Sequence, residues 1–212
     1  LQKQGMIFQT TIDSEVIACQ LAKERVQCAS IEEAVDRVMN KICGSYAMVV
    51  MSPRKLIGAR DPLGMRPLCL GKLENSYIIA SESCALDGVG AEFIRDIEPG
   101  EIVVIDKDGL RSIKNHCGNL NTHLCIFEHI YFARPDSVID GVSVYEARKE
   151  AGRQLARQHP VEGDLVIGVP DSGLSAAIGY AEESGIPYGI GLVKNRYIGR
   201  TFISPTQGQR EI

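Results

Sequence analysis

The stretch "DLVIGVPDSGLSAAIGYAEESGI" (164–186) reads as a buried strand that stops at Pro170 and gives way at once to Asp171, Ser172 and Gly173. Small residues that suit a helix follow. In a parallel sheet, ligands bind beyond the carboxyl ends of the strands, where helices begin. There the N–H groups of the first helical turn point outward and the helix dipole adds partial positive charge. A glycine at position 173 lets the backbone approach an oxyanion closely. The chemistry this suggests is phosphate or diphosphate binding, although the turn is neither G-x-x-x-x-G-K-[ST] nor G-x-G-x-x-G. The plain alternative, Asp171 and Ser172 as helix caps, stays open on these residues alone.

Just downstream, "LVKNRYIGRTFISPTQGQRE" places Lys194, Arg196, Arg200 and Arg210 among Tyr197 and Phe202. The chain as a whole carries a net charge of −4 and a pI near 5.6, so this is a local basic segment in an acidic protein. That balance argues against a nucleic-acid binder and for a confined anion site. An arm of this kind closing over a polyphosphate joins both features, because Arg forks and Lys charges match phosphate oxygens. A divalent metal there would be hard and oxygen-bound, held mostly by the ligand's phosphates. A solvated loop is the bland reading.

The elements that position these residues fall into two halves. "DSEVIACQLAKER" puts Val16, Ile17 and Leu21 on one helical face, with Asp13 or Ser14 placed to cap it. "SIEEAVDRVMNKICG" predicts a second helix, with Ser30 and Glu33 at capping-box spacing and Gly44 at its end. "YAMVVM", "KLIGAR", "PLCLGKL", "SYIIAS", "GEIVVID" and "LRSIK" then predict short antiparallel strands between turns. A polar stretch at 115–123 suggests a domain boundary near 120. Beyond it, helix 143–159, strand 164–169, helix 174–185 and strand 188–193 make a βαβ pattern, hence α/β with a parallel sheet. The seven cysteines show no C-x-x-C pair, which favours reduced thiols in a cytoplasmic protein. No apolar run reaches the length of a membrane helix. Leu1 and "GQREI" look like cut ends, so the expectation is a piece of a longer protein.

"CIFEHIYFARPDSVIDGVSVYEAR", "GVPDSGLSAAIGYAEESGIPYGIGLVKNRYIGRTF", "GMIFQTTIDSEVIA", "ARDPLGMRPLCLG" and "IASESCAL" together resemble the amidophosphoribosyltransferase family, from about Gly5 to Glu211. The resemblance implies an α+β N-terminal part, residues 1–120, cut from a glutaminase of the N-terminal-nucleophile type with sandwiched antiparallel sheets. It implies an α/β type I phosphoribosyltransferase part in residues 121–212. Such enzymes release ammonia from glutamine and use it to displace pyrophosphate from phosphoribosyl pyrophosphate (PRPP). The product is 5-phosphoribosylamine, the first committed intermediate of purine synthesis.

By position, the resemblance gives Asp13 the α-amino group of glutamine and gives Asp171, Ser172 and Gly173 the diphosphate, with Ser172 near a bound Mg²⁺. Lys194, Arg196, Tyr197 and Arg200 become contacts of a loop that closes over PRPP and excludes water. Cys125 matches one ligand of the [4Fe–4S] cluster found in one branch of the family, with the other thiolates expected beyond Ile212. The nucleophilic cysteine, its arginine and the Asn-Gly oxyanion segment are expected upstream of Leu1, and the paired-aspartate PRPP motif downstream. A chain of residues 1–212 alone is therefore expected to be inactive. Cys19 and Cys28 lie on an apolar-patterned helix with no nearby His and are poor substitutes. A homotetramer inhibited by purine nucleotides is a further implication. Two other readings remain: another glutamine-dependent synthase, and a non-catalytic PRPP sensor on the phosphoribosyltransferase fold. The "PDSG" and "KNRYIGRTF" pair argues against the first, and the glutaminase-like 1–115 region against the second.

Overall fold

The computed structural model describes residues 1–197, 199 and 203–210. They form two compact units, Leu1–Ser143 and Val144–Ile212.

In the first unit two helices lead into two antiparallel sheets. Helix α1 spans Asp13–Val26 and buries Leu21 with Ile17 beside it, while Val16 is left exposed. Its N-cap is Ile12, with no side-chain cap, so neither Asp13 nor Ser14 plays the capping part expected of it. Glu15, inside the first turn, instead ties down the segment that precedes the helix. Its carboxylate accepts from the Gln9 and Thr10 N–H groups and the Thr10 hydroxyl.

Helix α2 spans Ile31–Met39, and its capping box forms. Ser30 Oγ accepts from the Glu33 N–H at 3.2 Å, and the Glu33 carboxylate accepts from the Ala29 N–H at 3.0 Å. The helix ends earlier than predicted, because the Lys41 and Ile42 N–H groups both fold back on the Val38 carbonyl. Gly44 therefore lies past the end, at φ +116°.

Strands β1 (Ala47–Ser52), β2 (Lys55–Arg60), β3 (Cys69–Leu73) and β4 (Ser76–Ala80) follow. Helix α3 (Ser83–Gly88), β5 (Glu92–Asp96), β6 (Ile102–Asp106) and β7 (Gly109–Ile113) complete the layers. One sheet has the order β1-β2-β6-β7 and the other β4-β3-β5, all antiparallel. Period-two alternation assigns each face. Ile102 and Val104 of β6 join Leu21, Val35, Val38, Ile57 and Ala59 under the helices. Val103 and Ile105 join Leu70, Ile97 and Ile79 between the sheets. A Cβ on Gly58 would lie 3.0 Å from Ile79 Cδ1, which marks how closely the sheets approach. Leu86 of α3 covers the outer face of the second sheet beside Cys69 and Ala91. The patterning missed β5 and α3. "EFIRD" exposes both Phe93 and Ile94, so it shows no alternation, and α3 is only six residues long.

Residues 121–143 fold as part of the first unit, well past the boundary read near 120. The "ARDPLGMRPL" loop explains this. Buried Asp61 caps its own loop through the Leu63 and Met65 N–H groups. The loop then takes His123 N–H on Leu63 O and Cys125 N–H on Met65 O. Arg60, 1% exposed, donates to both Asp140 oxygens at 2.8 Å and to the carbonyls of Gly64, Arg66 and Ile97. Asp140 sits at φ +47° in the turn between β8 (Val138–Ile139) and β9 (Val142–Ser143).

The second unit contains α4 (Val144–Gln158), β10 (Val166–Ile167), α5 (Gly173–Ser184), β11 (Tyr188–Gly189) and α6 (Gln207–Arg210). β10 and β11 pair in parallel, as the βαβ pattern predicts, over two residues each. Helices α4 and α5 meet through glycine. A Cβ on Gly152 would lie 1.9 Å from Ala176 O, and one on Gly179 would lie 1.9 Å from Lys149 O. Lys149 and Arg153 pair with Glu182, and Arg157 with Glu183, across the same contact.

Candidate functional site

In the first unit a cleft of about 800 Å³ runs along β1 and the start of α1. Asp13 lines it, exposed at the first turn of α1, and makes no hydrogen bond or ion pair with a described residue. The opposite wall carries Arg66, Glu82, Glu128 and Phe132. Arg66 donates to Glu128 at 2.6 Å, and its guanidinium carbon lies 4.8 Å from the centre of the Phe132 ring. Arg66 and Phe132 sit inside segments that the family resemblance singled out, yet residue patterning gave them no role. Loop residues show their purpose only once the fold brings the segments together.

Burial pushes the Cys69 thiol up to about 12, with the Asp96 carboxylate adding to the shift. Burial also raises the Cys84 thiol. Neither is a thiolate at neutral pH, so neither is an activated nucleophile. All seven cysteines are free.

In the second unit the tip of β10 is held by helical turns rather than caps. Ser172 is the N-cap of α5, but its side chain makes no capping bond, and Asp171 does not serve as one. Gly173 N–H donates to Val169 O at 3.1 Å. The Pro170–Asp171 peptide is cis. Lys194 Nζ lies 2.8 Å from Asp171 Oδ2, so the two segments singled out by sequence do meet. A pocket of about 220 Å³ is lined there by Asp171, Lys194 and Arg196, with Gly168, Leu174 and Tyr188 behind them. Tyr197 is fully exposed, and Arg210 turns back to donate to Ser204 O. Arg200 and Phe202 lie outside the described residues.

Neither implied metal finds a ready-made ligand set. Among the described residues no group of three or more His, Cys, Asp or Glu could hold a metal ion, so nothing gathers around Cys125 for a cluster or around Ser172 for a cation. No helix among them is long and apolar enough to cross a membrane.

With this geometry in place, likeness to known proteins becomes informative. Residues 1–88 match a family described as a glutamine amidotransferase domain. The whole chain is similar to amidophosphoribosyltransferases. It is 52% identical over 211 residues to the one from Archaeoglobus fulgidus, covering all of this chain and 46% of that protein. It is 47% identical to the one from Bacillus subtilis, covering 44% of that protein. The chain thus spans a little under half the length of these amidophosphoribosyltransferases. A solved structure of the Bacillus subtilis glutamine PRPP amidotransferase, complexed with ADP and GMP, superposes with a TM-score of 0.88 over 99% of this chain and 46% of that one. The layered antiparallel sheets of the first unit fall within that superposed region.

Proposed function

We propose that this chain works within an amidophosphoribosyltransferase. Residues 1–120 belong to the glutaminase, and residues 144–212 begin a type I phosphoribosyltransferase domain, with 121–143 folded into the first unit. Glutamine yields glutamate and ammonia in the first. In the second, ammonia attacks the anomeric carbon of PRPP, the bond to diphosphate breaks, and diphosphate departs with the electron pair. Loss of a proton from nitrogen leaves 5-phosphoribosylamine. The observation that carries this reading is end-to-end identity of about half with amidophosphoribosyltransferases, running through the segments that line both clefts.

Asp13 binds the α-amino group of glutamine. Its carboxylate is free and opens on the cleft, which supports that role. Asp171, Ser172 and the Gly173 backbone face the diphosphate. Lys194, Arg196, Tyr197 and Arg200 close over it, with Lys194 exchanging Asp171 for a phosphate oxygen. The exposed Lys194–Asp171 pair is worth about 0–1 kcal/mol, so the exchange costs little. Ser172 would touch a Mg²⁺ ion brought in on the diphosphate, and the ion would supply charge neutralisation there. Cys125 as a [4Fe–4S] ligand requires three thiolates from elsewhere. Purine nucleotide inhibition is in keeping with the ADP and GMP of the Bacillus subtilis complex, and we extend the reading to a cytoplasmic homo-oligomer, a tetramer.

The test is PRPP-dependent diphosphate release by the full-length product of the reading frame that encodes this chain. It should proceed with glutamine or with ammonia. Asp13→Asn should remove the glutamine-driven rate alone, and Lys194→Ala should lower both. Release with neither nitrogen source would end the proposal.

A further inference from the structure

Glu82 occupies the N-cap position of α3, where a side-chain oxygen ordinarily accepts from helix N–H groups, but it makes no capping bond. Its Oε2 instead accepts from the Arg134 N–H at 2.8 Å and the Ser137 hydroxyl at 2.7 Å, with the Cys84 thiol at 3.8 Å. The next residue repeats the grip, as Ser83 Oγ accepts from the Val138 N–H at 2.8 Å. Ser137 and Ser83 are both buried, while the Arg134 contact lies at the surface. The gripped turn, 134–138, continues directly from the π-helical turn Glu128–Phe132, which borders the cleft opposite Asp13. Arg66 touches both ends of that turn, donating to Glu128 and lying over the Phe132 ring. Glu82 Oε1 makes no contact among the described residues, and the side chain lines the cleft itself.

We propose that Glu82 is a positioning residue for glutamine use. It fixes the Phe132 wall of the cleft at the spacing the ligand needs, and so ties occupation of the cleft to the turn at 134–138. This rests on the glutamine reading of the cleft. In the full-length product, Glu82→Ala should lower kcat/KM for glutamine about tenfold, the scale of one lost charge-assisted hydrogen bond. Ammonia-driven diphosphate release should stay within about twofold, less than half a kcal/mol. Glu82→Gln keeps an amide oxygen as acceptor and should recover most of the glutamine rate. A general loss of folding would lower both rates together and would not be rescued by Gln; that result, or no change in either rate, overturns the inference. If the unmodified protein uses ammonia but not glutamine, the cleft reading falls and this inference with it. If it uses neither, the whole functional proposal falls.

Discussion

Around the first cleft, geometry is set by charge taken out of water. Arg60 is buried with five hydrogen bonds, and Glu101, fully buried, receives both nitrogens of the Arg95 fork at 2.7 and 2.8 Å. Around the second, the Lys194–Asp171 pair is exposed, and Ile167, Val169, Ile190 and Val193 are exposed as well. The first unit is over-determined by contacts between residues as far apart as 60 and 140, so its cleft walls are held before any ligand arrives. The second relies on one helix pair and two-residue strands, which suits a loop that must move.

The sharpest way to break that comparison is Arg60→Met. It leaves Asp140 and three carbonyls without their donor, and should cost about 3–5 kcal/mol in urea unfolding of the chain. Lys194→Met should cost about 0–1 kcal/mol. Equal costs would mean that the buried network does not hold the first unit together.

Within the second unit, stability should sit in the helix pair rather than at the site. Gly152→Ala drives a methyl into the Ala176 carbonyl, a backbone atom that cannot rotate away, and should cost about 3 kcal/mol, the upper end of ordinary overpacking. Loss of the unit's helical signal at lower urea, with the first unit's transition unmoved, would bear this out. A shift of both transitions together would mean that the two do not unfold separately.

These costs also show what the sequence could and could not reveal. The strand "KLIGAR" was legible in full, because a short β-type run bounded by turn residues is a local signal. So were the parallel β10–β11 pairing and the capping box at Ser30. Asp13 and Ser14 read as caps, because Asp and Ser near a helix start fit a common pattern; the fold puts Ile12 at the N-cap with no side-chain cap. Nothing in the residue pattern set Arg60 or Asp140 apart. The burial of Arg60 goes with a contact spanning 80 residues, and single-sequence patterning holds no record of that. The strand-tip motif stood out in sequence, but its meeting with Lys194 did not, since that depends on the return of the chain after β11.

A smaller effect should appear on the acid side. Glu32 lies at the start of α2, with Lys55 Nζ at 2.7 Å and Arg111 Nη2 at 2.5 Å. Burial opposes its ionisation, but Lys55, its own N–H and Arg111 outweigh that and hold its pKa at about 2. The unfolded chain takes up this proton near the ordinary carboxyl value of 4.5, the folded chain only at about 2. The contribution is therefore complete above about pH 4.5 and is lost as pH falls towards 2. Glu32→Gln should flatten that limb of stability against pH by about one proton in urea titrations, with little change in slope above pH 6. An unchanged acid slope would mean that the ion pairs around Glu32 do not persist in solution.

The smallest expected effect on folding belongs to Gly173, and it separates a fold requirement from a ligand requirement. Gly173 lies outside the left-handed region, and a Cβ there would meet only Val169 Cβ, at an ordinary 3.7 Å. Neither backbone conformation nor packing demands glycine. Alanine is the better helix former, so Gly173→Ala should leave urea stability unchanged or raised by up to about 1 kcal/mol. Gly168 is different, because its Cβ would lie 2.9 Å from Leu174 Cα, and Gly168→Ala should destabilise the unit. If the 173 backbone must approach a diphosphate, Gly173→Ala should weaken Mg²⁺-diphosphate binding by the full-length product in calorimetry while the fold stays intact. Unchanged affinity would leave position 173 as an ordinary helix start and remove its backbone from the proposed site, with Asp171, Ser172, Lys194, Arg196, Tyr197 and Arg200 as the remaining contacts.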